Sequence, residues 1–284
     1  MRKAMIIAFA LVFFVGLSIL MYPTISNYIN SHRQAQSIEE YYVVVESLSD
    51  REFIELLEAA LEYNEGLRRR PNRFIMSEEE MEEYRRLLNP TGGRGAIGTL
   101  RIESLDIHLP IYHGTAEGVL QVGIGHMEGS SMPVGGPGTH TALTGHRGVP
   151  SSLLLTNLDR MEVGDTFKIG VLGETLTYMV DQIVIVLPHE TEGLAIDANA
   201  DFCTIITCTP YGINTHRLLV RGRRIDNGIT DETFVPPMPV SMPSGARMHT
   251  EPIAALVLLL PTATVATVIL YIRLRRIYGR GKVL

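Results

Sequence analysis

The sequence predicts a mainly β fold: a closed or nearly closed barrel, preceded by helices and flanked by two transmembrane helices. Three observations carry this. From Gly95 onward, short runs of alternating polarity punctuated by Gly and Pro replace any helical periodicity. Upstream, between Ser31 and Arg70, apolar residues recur at helical spacing. At the two ends, Met5 to Tyr22 and Ile253 to Ile272 are apolar or small over lengths that suffice to span a bilayer.

The ends set the orientation. All 31 acidic residues of the 284 lie between the two apolar runs, whereas the flanks carry only Lys and Arg. Basic flanks stay inside, so both termini are expected in the cytoplasm, with the acidic middle outside the cell membrane. Ser18 to Ile25 offers no small-x-small cleavage site, which favours an uncleaved anchor over a signal peptide. Pro261 within the second run suits a membrane helix better than a soluble one. The net charge of -6 argues against nucleic acid as a partner.

The chain then divides into residues 1–22, a cytoplasmic start and N-terminal membrane anchor, and 23–94, a helical stalk or cradle with a lid-region segment. Residues 95–230 form the barrel, 231–251 a Pro-rich spacer, and 252–284 a C-terminal transmembrane helix with a basic cytoplasmic tail. In the helical part, Ile38, Tyr41, Tyr42, Val45 and Leu48 form one apolar stripe, and Phe53, Leu56, Leu57, Ala60 and Leu61 form a second. Ser49-Asp50-Arg51-Glu52 reads as a capping box that starts the second helix. Ser77 to Glu80 opens a short third one that Asn89-Pro90 ends. Arg68 to Arg70 reads as a solvated charge run more readily than as an anion site.

Strands are expected at Ile97 to Ile102, Ile107 to Tyr112, Thr139 to Thr144, Thr166 to Val171, Leu176 to Val186, Phe202 to Thr207 and Arg217 to Arg224. Gly123-Ile124-Gly125 is too fragmentary for a phosphate loop. Phe234 to Gly245 is too poor in backbone donors for a sheet.

Chemistry concentrates in Asp201 to Arg224. Thr209-Pro210-Tyr211-Gly212 ends one strand, and a second begins at Arg217, so a hairpin sets Cys208 and Arg217 opposite each other at one end. A cation beside a thiol favours the thiolate and can receive an oxyanion. The plainer reading is an inert thiol beside an edge arginine. Cys203 and Cys208 stand at odd spacing, on opposite faces of one strand, so they do not bridge, and Cys203 reads as core. Among the nine histidines, His146 stands out because glycines flank it at a strand end. His126, His140 and His216 read as structural or exposed. No Cys-x-x-Cys or His-x-x-x-His pair supports a metal site, and no cofactor motif is present.

The segment TCTPYGINTHRLLVRGRR resembles the sortases of Gram-positive bacteria, in their class C, pilin-polymerising branch. GTLRIESLDIHLPIYHGT, GHMEGSSMPVGG, THTALTGHRGVPSS and LTNLDRMEVGDTF match the same family in its order, over roughly Leu61 to Ile225. The resemblance implies an eight-stranded barrel and a cysteine transpeptidase. In it Cys208 is the nucleophile, His146 the general acid and base, and Arg217 the substrate and oxyanion holder. It implies an LPxTG-like sorting signal as substrate and pilin subunits as partners, with a peptidoglycan precursor as acceptor in the housekeeping-type alternative. A membrane-held module that only grips a peptide is the non-enzymatic alternative. The class C lid with its Asp-Pro-aromatic motif has no counterpart here: Pro71 and Phe74 are the nearest residues, so the resemblance does not extend to the lid.

Overall fold

The computed structural model describes residues 2–93 and 95–225. The expected spacer and second transmembrane helix therefore lie outside the described residues.

The chain begins with α1 (Arg2–Ser47), one continuous helix of 46 residues with Pro23 inside it. A boundary after Tyr22 is expected, yet the helix runs through it. Pro23 removes one backbone donor, whereas a break there would require a second helix to nucleate and cap anew. At the standard rise α1 is about 70 Å long, more than twice the hydrocarbon thickness of a bilayer. Its N-terminal part exposes Phe9, Val12, Phe13, Ile19 and Leu20, and by length and composition it is apolar enough to cross a membrane.

The C-terminal half of α1 is a cradle rather than a free stalk. Asn30 Nδ2 donates to the Ser151 carbonyl at 2.9 Å, and Gln34 Nε2 to the Val122 carbonyl at 2.9 Å. Further along, the Tyr41 hydroxyl accepts the Leu172 amide at 2.8 Å. Leu172 has φ 46, a conformation disfavoured for residues with a Cβ, and this contact helps hold it there. Burial pushes the Tyr41 phenol up, so it stays neutral and able to hydrogen-bond.

Helices α2 (Asp50–Leu67) and α3 (Glu78–Tyr84) start at the two expected capping boxes, both fully formed by Ser49 with Glu52 and Ser77 with Glu80. Asn64 on α2 is buried and fixes both backbone groups of Met132, accepting its amide at 2.6 Å and donating to its carbonyl at 3.1 Å. Tyr84 on α3 is fully buried, and its hydroxyl accepts the Gly114 amide at 3.0 Å.

Eight strands follow: β1 (Gly98–Ile102), β2 (Ile107–His113), β3 (Ile124–His126), β4 (Thr139–Thr144), β5 (Thr166–Val171), β6 (Glu174–Val186), β7 (Asp201–Thr209) and β8 (His216–Arg224). A four-residue helix, α4 (Glu117–Leu120), precedes β3. The strands close into a barrel in the order β1-β2-β3-β4-β7-β8-β6-β5. The β2/β3 and β4/β7 pairs are parallel and the remaining pairs antiparallel. Strand β3 escapes the sequence reading because three residues are too few to display alternation. The other strand positions agree with it to within two residues.

Leu100, Ile102, Ile111, Ile124, Leu143, Phe167, Ile169 and Val220 are all buried and belong to one continuous apolar core. At the β5/β6/β8 side, Phe167 and Tyr178 stack with ring centroids 5.5 Å apart at 14°. Gly222 on β8 lies against this pair, and a Cβ there would sit 2.6 Å from Phe167 Cε1. Neither ring can withdraw, since Phe167 is 0% and Tyr178 1% exposed.

Two expectations follow from this packing. Gly222→Ala forces a methyl into a filled space and should destabilise the fold by about 1–3 kcal/mol, read by denaturant unfolding. His113, His126 and His140 are each pushed down to about 4, chiefly by burial, from an ordinary value of 6.5. The unfolded chain therefore binds more protons than the folded one below about 6.5. Stability present at pH 7 should fall as pH drops from about 6.5 towards 4, with net proton uptake on unfolding; a flat profile over that window would contradict the assignment.

Candidate active site

Strand β7 is the centre of the site, because it pairs with β4 on one edge and with β8 on the other. The antiparallel register with β8 sets Cys208 opposite Arg217, as the hairpin reading expects. Side chains of directly opposed residues emerge on the same face. The parallel register with β4 sets Thr144 beside Ile206, so the chain leaving β4 runs alongside Thr207 and Cys208. Gly145 continues this contact: its amide donates to the Ile206 carbonyl at 3.1 Å, and its carbonyl accepts from Thr207 Oγ1 at 2.8 Å. A Cβ on Gly145 would lie 2.8 Å from both Ile124 Cδ1 and Leu155 Cδ1, so a larger residue there requires these buried side chains to shift. His146 comes next, and its carbonyl accepts the Leu155 amide at 3.2 Å.

Cys208, His146 and Arg217 line one cleft of about 300 Å³. Its apolar wall includes Met127, Val186, Leu194, Ile206 and Leu219. Cys208 is a free, partly exposed thiol, whereas Cys203 on the same strand is fully buried and its thiol is pushed well up by burial. The two cysteines thus separate as their odd spacing requires. Arg217 Nη1 donates to the carbonyls of Asn214 and His216 at 3.2 and 3.1 Å. Both partners are neutral, so they position the guanidinium without cancelling its charge.

The residue after His146 ties the two sides of the site together. Arg147, with its side chain 8% exposed, forms a 2.5 Å ion pair with Asp159. It also donates to Thr209 Oγ1 at 3.4 Å. A residue adjacent to His146 is thereby bonded to one adjacent to Cys208.

The remaining histidines fall where the sequence puts them. His126 is completely buried and bonded to Tyr84 and Ser131. His140 is held between the Ala195 carbonyl at 2.8 Å and Thr204 Oγ1 at 2.7 Å. His216 bonds to its neighbour Thr215. None of the three lines the cleft.

Two further features bear on the site, and only the first has no local sequence signal. The first is Glu117, whose carboxylate lies 3.2 and 3.3 Å from His146 Nε2. The second is the segment between α2 and α3. It carries no Asp-Pro-aromatic motif, yet Phe74 packs on the cluster of Ala142, Leu194, Ile206 and Leu219, and the last three of these line the cleft. Arg73 covers that ring at 4.5 Å and donates to the carbonyls of Gly129 and Leu194. Arg68 and Arg69 share Glu65, and Arg70 pairs with Glu80, so each arginine of the charge run has a carboxylate partner within the helical region.

A sortase domain family matches residues 100–225 of this chain. Sortase C1 from Streptococcus agalactiae is 43% identical, with 68% of this chain and 99% of that chain covered and a TM-score of 0.64. Sortase A from Corynebacterium diphtheriae is 43% identical over 69% of this chain and 94% of that chain, with a TM-score of 0.61. Sortase C-1 from Actinomyces oris is 38% identical over 61% and 98% of the respective chains, with a TM-score of 0.56. No curated protein matches the chain in sequence. Identities of this size over nearly the full length of solved sortases, on the same closed barrel, mean that the chain belongs to the sortase family of cysteine transpeptidases, in its class C branch.

Proposed function

We propose that this sortase builds covalent pili and that Cys208, His146 and Arg217 are its catalytic groups. The observation that carries the reading is the opposition of Cys208 and Arg217 in one strand pair, at a cleft that His146 also lines. The Cys208 thiolate attacks the Thr carbonyl of an LPxTG-like signal. A tetrahedral oxyanion forms beside the Arg217 guanidinium. As the Thr–Gly C–N bond breaks, His146 donates a proton to the leaving amine, and a thioester remains on Cys208. A Lys amine of another pilin subunit then attacks the thioester and gives its proton to His146. The C–S bond breaks, the thiolate is restored, and an isopeptide bond joins the subunits. The apolar wall of the cleft suits the Leu and Pro side chains of such a signal.

The same reading makes the protein a two-pass membrane enzyme. The apolar N-terminal part of α1 supports the first anchor, and the run from Ile253 to Ile272 with its basic tail supports the second. Tethering enzyme and membrane-held substrate to one surface raises their effective concentration.

Replacing Cys208 or His146 by Ala should lower transpeptidation by about 10²-fold or more without unfolding the protein. Arg217→Lys should lose about 10²-fold, because an ammonium cannot reproduce the guanidinium fork. Purified pilin supplies the readout: ladders of covalent multimers are expected, whereas single adducts to a peptidoglycan amine would indicate wall anchoring instead. For topology, Thr230→Cys and Arg280→Cys are introduced singly into a chain lacking Cys203 and Cys208. An impermeant thiol reagent applied to intact cells should label the first and not the second, and the reverse pattern would refute the two-pass arrangement.

A further inference from the structure

The His146 imidazole has a neighbour that the catalytic reading does not use. Glu117 is the first residue of α4, and both of its carboxylate oxygens approach His146 Nε2, at 3.2 and 3.3 Å. Its side chain is 69% exposed against 24% for His146, so burial does not hold the pair together. Backbone anchoring does. Just before α4, the Thr115 amide and hydroxyl both donate to the Glu128 carboxylate, each at 3.1 Å. Just after it, Gln34 of α1 holds the Val122 carbonyl at 2.9 Å. Within the helix, Gln121 Nε2 donates to Glu117 Oε1 at 3.1 Å, which aims the carboxylate one turn back.

We propose that Glu117 is a positioning residue that fixes the His146 imidazole with a proton on Nε2, leaving Nδ1 as the nitrogen that exchanges protons with the substrate. The inference rests on the reading of His146 as the general acid and base. Its chemistry is simple. An ionised carboxylate can only accept hydrogen bonds, so the ring nitrogen that faces it must be the protonated one. Glu117 stays ionised, since the Gln121 amide first and His146 second hold its carboxyl below the ordinary range. In a neutral imidazole the other nitrogen then carries the lone pair. A proton shuttle has to take and return its proton at one defined atom in both halves of the reaction, and a ring free to exchange tautomers is in the wrong form part of the time.

The test uses the full-length chain in detergent, with ¹⁵N-labelled histidine and an LPxTG-like peptide plus a Lys amine acceptor. The His146 resonances are assigned by their absence in His146→Ala. In the parent protein at alkaline pH, His146 should show a protonated-type Nε2 and an unprotonated-type Nδ1. In Glu117→Ala the Nε2–H population should fall towards the ratio of a free imidazole, and kcat should fall about two- to fivefold, the scale of an exposed charge pair, while KM for the peptide is unchanged. Glu117→Gln keeps an acceptor without the charge and should restore part of both. If His146→Ala retains turnover, the role of His146 itself fails. If His146→Ala is inactive while Glu117→Ala matches the parent in kcat and tautomer, the positioning role alone is refuted. A fall in kcat with the Nε2–H tautomer intact would likewise overturn it.

Discussion

The site depends on the place of β7 in the barrel, between a parallel partner on one side and an antiparallel partner on the other. A hairpin alone brings together residues near in sequence, and it accounts for Cys208 and Arg217. His146 lies 62 positions earlier than Cys208, and only the parallel β4/β7 ladder delivers it to the same end. In a parallel pair both strands finish on the same edge, so the residues just past their ends share one opening. The Gly145 contacts with Ile206 and Thr207 extend that ladder beyond its last paired residues. The Arg147 bond to Thr209 extends it once more on the far side.

This arrangement explains why the hairpin half of the site was legible in the sequence and the other half less so. A strand rich in β-branched residues, ended by Thr-Pro-Tyr-Gly and followed by a second run starting at an arginine, specifies a register through local turn chemistry. Glycines on both sides of His146 mark a strand end but cannot say which strand lies beside it; the resemblance to the family implies its role, and the β4/β7 pairing is visible only in the structure. Glu117 carried no signal at all. Its neighbours Gln121 and Glu128 are common surface residues, and its contact with His146 arises from where α4 is pinned. Strand β3 was missed for a similar reason. It is held as a strand by partners on both edges and by the burial of Ile124, not by any pattern of its own.

The helices are legible in another way. Capping boxes are local hydrogen-bond arrangements, so Ser49 and Ser77 announce the starts of α2 and α3 wherever the helices dock. Proline is less decisive. At Pro23 the helical tendency on both sides outweighs one missing bond, and the apolar part and the cradle become one helix. A continuous rod links the apolar end to the barrel without a hinge at the expected boundary.

The segment between α2 and α3, the lid region of the sequence reading, packs on the barrel through Phe74. Packing against the cluster that includes Leu194 and Leu219 removes part of the Phe74 ring from water. Arg73 holds Phe74 in place by bonding carbonyls on two separate loops, Gly129 ahead of β4 and Leu194 ahead of β7. A guanidinium has five donors in a rigid plane and can serve two such acceptors while lying over an aromatic ring; an ammonium lacks that shape. The cost of burying the charge shows in the Arg73 group being pushed down from its usual value, with desolvation the larger cause. Two carbonyl acceptors and the ring face offset that cost, so the segment joins two loops of the barrel to the helices that carry it. The apolar cluster that contains three of the cleft residues, Leu194, Ile206 and Leu219, therefore packs against a segment far in sequence from the strands that hold Cys208, His146 and Arg217.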